Sequence, residues 1–214
     1  MDFSEVLSDR ARQVAVGWMR NAFEQSRVLA ELRMAGLGHA GAPNRRSYFE
    51  TLVRIQWLDG VPHAERADAV DVMLAEDKSQ AAKEVTHLRD MGYEGETNLD
   101  DMGDVVLEVT ENRHLAEQAR VFVHAAKATQ NPSVGLYRAW RYESQFAHAT
   151  AVLGGAYAPD RGGRIGAGRP GEADPELESH VMSTMLVMVL TARLLQDEGL
   201  PKGKVNELVA AYFG

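Results

Sequence analysis

Along most of the chain, apolar residues recur at spacings of three, four and seven, and no segment sustains the alternation of a strand. Over residues 2–36, Val6, Leu7, Val14, Ala15, Trp18, Phe23, Val28, Leu29 and Leu32 follow such spacings, and Gly36, Gly38 and Gly41 end the run. A second helix is predicted over 44–58 after Pro43, with Phe49, Leu52, Val53, Ile55, Trp57 and Leu58 as its apolar area. A third covers 64–91 through Ala69, Val70, Val72, Met73, Leu74, Ala81, Val85 and Leu88, and Gly92 ends it. A fourth covers 112–129. A fifth, over 133–150, opens after Pro132. A sixth covers 175–198 and stops at Gly199 and Pro201, and the chain closes on a short helix, KVNELVAAYF. This pattern predicts an all-α fold, a helical bundle of about six or seven helices in a single domain over 1–214. The glycine-rich stretch near 154–173 reads as a flexible loop, with Arg161, Arg164 and Arg169 on it as candidate ligand contacts. It lacks the strand–loop–helix setting and the Lys-Ser/Thr of a phosphate-binding loop.

The fifth helix, SVGLYRAWRYESQFAHAT, carries a narrow polar stripe between apolar sides. At about 100° per residue, Tyr137, Arg141, Ser144 and His148 fall within roughly 60° of one another. Ala139, Tyr142, Phe146, Ala149 and Leu153 form a second face, and Leu136, Trp140 and Ala147 a third. A helix apolar on two sides is expected to be buried on both. Its arginine and histidine then need partners, because a buried unpaired charge is costly. The second helix offers a matching row, Arg46, Glu50 and Arg54 at i, i+4 and i+8. The two rows are expected to face each other, with His148 as acid–base group, Arg141 as anion contact and Glu50 orienting one arginine. The plainer alternative is a structural network, a row of i,i+4 ion pairs beside a helix whose Arg and His find partners in the fold.

The chain has 214 residues, 45% hydrophobic and 25% charged, enough to bury a substantial core. It has no cysteine, which excludes disulfides, zinc–thiolate sites and thiol catalysis and suits a reducing cytoplasm. MDFSEVLSDR lacks the apolar core of a secretory leader, and the longest apolar run, Val181–Leu195, is broken by Ser183, Thr184, Thr191 and Arg193. That run reads as a Met-rich core helix, so no membrane association is expected and the location is read as cytoplasmic. The formal charge of −8 argues against broad electrostatic binding of nucleic acid while leaving room for a small basic site. Residues 94–111 hold seven acids and no base and read as a solvated connector without calcium-loop spacing.

Three chemistries fit these residues. An Arg and a His on one helical face can act on a phosphodiester without metal, the His moving a proton and the Arg stabilising phosphoryl charge. Two E-x-x-H pairs, Glu84/His87 and Glu111/His114, match half of a di-iron ligand pattern, with Glu50 as a further carboxylate. The pairs lie 27 residues apart on neighbouring helices, so this carboxylate–histidine metal enzyme is the lesser alternative, and no metal or cofactor is expected. Third, Arg46, Arg54 and Arg141 can converge on a small anionic ligand, with Glu50 and His148 beside it, in a closed pocket of one protomer. His39, His63, His124 and His180 read as surface or packing residues.

The R-x4-6-H pair on a late helix of a small all-α bundle resembles the HEPN superfamily, which includes bacterial toxin and defence ribonucleases. Arg46, Ser47, Glu50, Arg54, Trp57 and Leu58, followed by Tyr137, Arg138, Ser144 and His148, are also similar to a bacterial all-helical family with RSxxE and SxxxH helices. The resemblance covers roughly residues 44–158. The HEPN likeness implies a metal-independent ribonuclease of defence or stress response. It also implies a homodimer that brings Arg141 and His148 together across its interface. HEPN nucleases usually place Asn, Asp or His directly after the Arg, where this chain has Tyr142. A non-catalytic helical binding or regulatory protein, with a buried Arg/Glu/His network, therefore stays open beside the nuclease. RNA and a small anionic ligand are the partners considered.

Overall fold

The computed structural model describes residues 9–93, 110–129, 135–172, 174 and 177–213. Val6, Leu7, Pro132, Ser133 and most of the acidic connector lie outside the described residues. Within them the protein is all-α: α1 Arg10–Met34, α2 Ala42–Gly60, α3 His63–Asp90, α4 Arg113–Arg120, α5 Phe122–Ala128, α6 Leu136–Ala147, α7 Ala151–Tyr157, α8 Glu178–Asp197 and α9 Lys202–Phe213. Among the described residues nine helices thus replace the expected six or seven, because the predicted 112–129 helix is split and α7 forms beyond the predicted 133–150 helix, running into the stretch expected to be a loop. None of these helices is long and apolar enough to cross a membrane.

The helix ends follow local chemistry. Asp9 caps α1, its carboxylate accepting from the Arg12 amide at 2.8 Å. Pro43 sits in the first turn of α2, and Pro62 holds Val61 extended (ψ 134°) so that α2 cannot run into α3. α1, α3 and α8 end alike. Gly36, Gly92 and Gly199 adopt positive φ, and the next amide reaches back to the carbonyl of Leu32, Leu88 and Leu195 respectively.

The split falls at Val121, whose backbone is extended (φ −110°, ψ 105°). Arg54 Nη1 donates to the carbonyls of Gln118 at 3.1 Å and Ala119 at 3.0 Å. A continuous helix would use these acceptors for residues four further on, so Arg54 caps α4 and the chain restarts as α5. α6 ends at His148, extended at φ −122° and ψ 161°. Thr150 then caps α7 by accepting from the Leu153 amide at 3.1 Å.

α2 is the element the others surround: it contacts α1, α5, α6 and α8. Tyr48, Leu52, Ile55 and Leu58 are fully enclosed and meet Val187, Leu194 and Leu195 of α8 and Ala15 and Ala22 of α1. α6, expected to be buried on two sides, is instead one-sided. Leu136, Trp140 and Glu143 face inward, and Arg138, Arg141 and Tyr142 face out. α8 is a core helix as expected, except that Val181, Met182 and Val189 are exposed. The glycine-rich stretch begins inside α7 and continues as a hydrogen-bonded turn closed by an antiparallel bridge between Asp160 and Ile165.

Candidate ligand-binding site

The two predicted stripes meet at Trp140. Arg46 Nε donates to Ser144 Oγ at 3.2 Å, and Ser144 donates to the Trp140 carbonyl at 2.7 Å. The indole of Trp140 donates to Glu50 at 3.3 Å, and Arg46 lies 3.5 Å from the same carboxylate. Tyr137 stacks on the Trp140 ring at 5.8 Å, and the guanidinium groups of Arg46 and Arg141 lie 5.5 Å and 6.0 Å from its centroid. Arg46, Glu50, Tyr137, Arg141 and Ser144 are therefore gathered around one ring. Arg54 is not among them: it lies between the rings of Trp57 and Phe122 as the cap of α4. His148 stands beyond the last turn of α6 and is exposed, as Arg141 is. The exposure of His148 and Arg141 follows from α6 ending at Ala147 and burying one side only.

The E-x-x-H residues are not assembled into a site. Glu84, His87, Glu111 and His114 are exposed, and His114 sits against the side chain of Gln118. Among the described residues no group of three or more Asp, Glu or His is placed to hold a metal ion.

Two deeply buried charges, Arg45 and Glu143, lie one residue away from the predicted rows. Arg45 Nε lies 2.9 Å from Glu143 Oε1, tying α2 to α6, and Arg45 Nη1 donates to the Gly38 carbonyl at 2.9 Å. Glu143 is 2% exposed and Arg45 8%. The pair is incomplete: Glu143 Oε2 and Arg45 Nε have no hydrogen-bond partner among the described residues. Burial pushes the Glu143 carboxyl above the ordinary carboxylate value, and the neighbouring Arg45 holds it partly back.

His180, expected at the surface or in plain packing, is buried at the start of α8 and belongs to this group. Its Nε2 lies 2.7 Å from Ser26 Oγ, and its ring packs on Tyr48 at 4.7 Å. Its amide donates to Asp174 at 2.8 Å, and its carbonyl accepts from Ser183 and Thr184, which also meet the Tyr48 hydroxyl. Burial pushes the imidazole below its usual value, with Asp174 opposing and Arg45 assisting, so it is neutral at pH 7.

A cavity of about 530 Å³ opens above this group, between α1, α2, α6 and the start of α8. Leu29, Phe49, Ala139 and Leu177 supply apolar wall, and Arg45, Arg138, Glu143, Asp174 and His180 are the charged and titratable groups on it. Leu177 has φ 57°, the one non-glycine residue in left-handed conformation among those described. Two further cavities exist, of about 420 Å³ beside Trp57 and Asp59 and about 520 Å³ beside Arg33 and Arg169. Neither is lined by a buried side-chain atom that lacks a partner. Arg46, Arg54 and Arg141 line none of these three cavities.

Comparison with protein-family models, curated proteins and solved structures finds no match to this chain. The site is therefore read from its own chemistry.

Arg45, Glu143 and His180 left one signal in the sequence. Glu143 is a charged residue in register with Leu136 and Trp140, at i+7 and i+3, on the apolar side of α6. A lone acid on such a face requires a buried partner, and Arg45 beside Arg46 is a candidate. The contribution of His180 was not readable, because its partners Ser26 and Tyr48 are 154 and 132 residues away.

Proposed function

We propose that the protein is a non-catalytic helical binding protein. It holds a small molecule in the cavity over the Arg45–Glu143 pair. The observation that carries this reading is Glu143 Oε2, a buried carboxylate oxygen without a hydrogen-bond partner among the described residues, in a residue that lines the cavity. Buried polar atoms are nearly always satisfied, and an exception marks an absent partner or a functional group. A ligand with an N–H or O–H donor on an apolar body answers both parts of the wall. Its donor meets Glu143 and its body lies against Leu29, Phe49 and Leu177.

The test is a ligand-observed NMR screen of aromatic amides and amines against the wild type and the cavity-filling variant Ala139→Phe. Saturable binders lost in the variant are expected. No binders, or binders retained at full affinity in the folded variant, would refute the reading.

One observation favours a second reading. Arg141 and His148 are both exposed, so a second copy of the chain can approach them, as the HEPN-like ribonuclease of a homodimer requires. This reading expects cleavage of RNA in EDTA by the wild type and none by His148→Ala. Equal cleavage by both proteins, or none by either, counts against it.

A further inference from the structure

Residues 135–169 hold five arginines (Arg138, Arg141, Arg161, Arg164 and Arg169) against two acids (Glu143 and Asp160), a formal +3 in a chain of −8. The other residues therefore carry −11. Residues 10–54 are also positive, with eight arginines against three acids, but Arg10, Arg12, Arg27, Arg33, Arg45 and Arg46 there are ion-paired, whereas none of the five arginines of 135–169 has an ion pair among the described residues. All five arginines are exposed, and one of the two acids, Glu143, is buried against Arg45. The outward charge is thus more positive than the formal count.

The segment is built to display part of that charge. Between Asp160 and Ile165 the chain reverses through Gly162 and Gly163, at φ 65° and 78°, as a tight two-residue hairpin turn. The Arg161 amide donates to the Arg164 carbonyl at 2.9 Å, and the Gly163 amide donates to Asp160 Oδ1 at 2.8 Å. Gly166 and Gly168 donate to the Pro159 and Tyr157 carbonyls at 2.8 Å and 3.1 Å, fastening the turn to the end of α7. The stem of Arg161 lies over Gly166, where a Cβ would come within 2.9 Å of it. The turn therefore holds two like charges three residues apart and leaves Ile165 87% exposed. Neither feature stabilises the fold. α7 packs on α6, whose outer side carries Arg138 and Arg141 one turn apart. Tyr142 and Tyr157 are 41% and 46% exposed on the same two helices.

We propose that the Arg161–Ile165 turn and the outer side of α6 form a binding surface for single-stranded RNA. Arginine forks match phosphate oxygens, and exposed tyrosines offer faces on which unpaired bases stack. The proposal goes beyond the cavity reading and requires no cleavage.

The test is fluorescence anisotropy of a labelled oligouridine with the full-length protein in EDTA. The expected result is saturable binding at about 50 mM salt that weakens more than about tenfold by 200 mM, as counterion release from several phosphates requires. Arg161→Ala with Arg164→Ala should weaken binding at least about tenfold at low salt, with unchanged circular dichroism. Asp160→Ala separates an organised turn from charge alone. It raises the positive charge but removes the acceptor of the Gly163 amide, and binding is expected to weaken. Absent binding at low salt, or binding indifferent to the double variant, overturns the proposal. Unchanged or tighter binding by Asp160→Ala overturns the role of the turn. Tight binding to phosphatidylserine vesicles in place of RNA would assign the surface to a membrane instead. Fragment binding in the cavity should be the same in all these variants, so the two readings fail independently.

Discussion

The Arg45–Glu143 pair sets the energetics at the scale of single residues. Removing one partner of a buried ion pair leaves the other desolvated, which costs about 3–5 kcal/mol. Arg45→Ala and Glu143→Ala should each lower unfolding stability by about that amount in urea titrations. The two buried titratable groups act on pH dependence with opposite signs. Glu143 has a folded value above its ordinary 4.5, so between the two values the folded state binds more protons than the unfolded one. It thus subtracts stability as pH rises through and above 4.5. His180 has a folded value below its ordinary 6.5, so the unfolded state binds more protons there. The stability linked to its neutral form is present above 6.5 and is lost as pH falls toward the folded value. Denaturation of Glu143→Gln across pH should therefore show less loss toward neutrality than the wild type. His180→Asn should show less loss toward acid. The reverse ordering would mean that burial does not govern these groups.

The helix boundaries belong to the scale of elements. Thr150 starts α7 after the break at His148, and its hydroxyl satisfies the Leu153 amide. Thr150→Ala should cost about 1 kcal/mol. Because α7 is short and has no buried residue, the loss should appear as faster amide exchange over 151–157 with little change in melting temperature. The same scale explains what the sequence disclosed. The ends of α1, α3 and α8 were legible because Gly36, Gly92 and Gly199 supply a conformation that other residues resist. The break at Val121 was not, since it depends on Arg54 reaching carbonyls 64 and 65 residues away. α6 and its buried Leu136–Trp140 side were legible, but burial of a second side is not realised, and Glu143 lies in the apolar register facing Arg45. The expected meeting of the two rows is realised around Trp140, for Arg46, Glu50 and Ser144 above all, and not for Arg54 or His148.

At the scale of the whole molecule, α2 is enclosed by α1, α5, α6 and α8, and the cavity lies where α6 approaches α2 through a charged pair, with Arg138, Ala139 and Tyr142 beside Glu143 on its wall. The buried pair is either a structural tie or the floor of a binding site, and one double replacement separates the two. Arg45→Met with Glu143→Leu removes both charges together and keeps apolar volume, a change that is often neutral or stabilising by about 1–4 kcal/mol. The measurement that tests the central claim most directly is titration of the fragment binders into this variant, after its fold is verified by its melting transition. The account predicts a folded protein at least as stable as the wild type that binds them at least about tenfold more weakly, the loss of one charged hydrogen bond. Undiminished affinity in the folded variant would contradict it and leave Arg45 and Glu143 as structural residues alone.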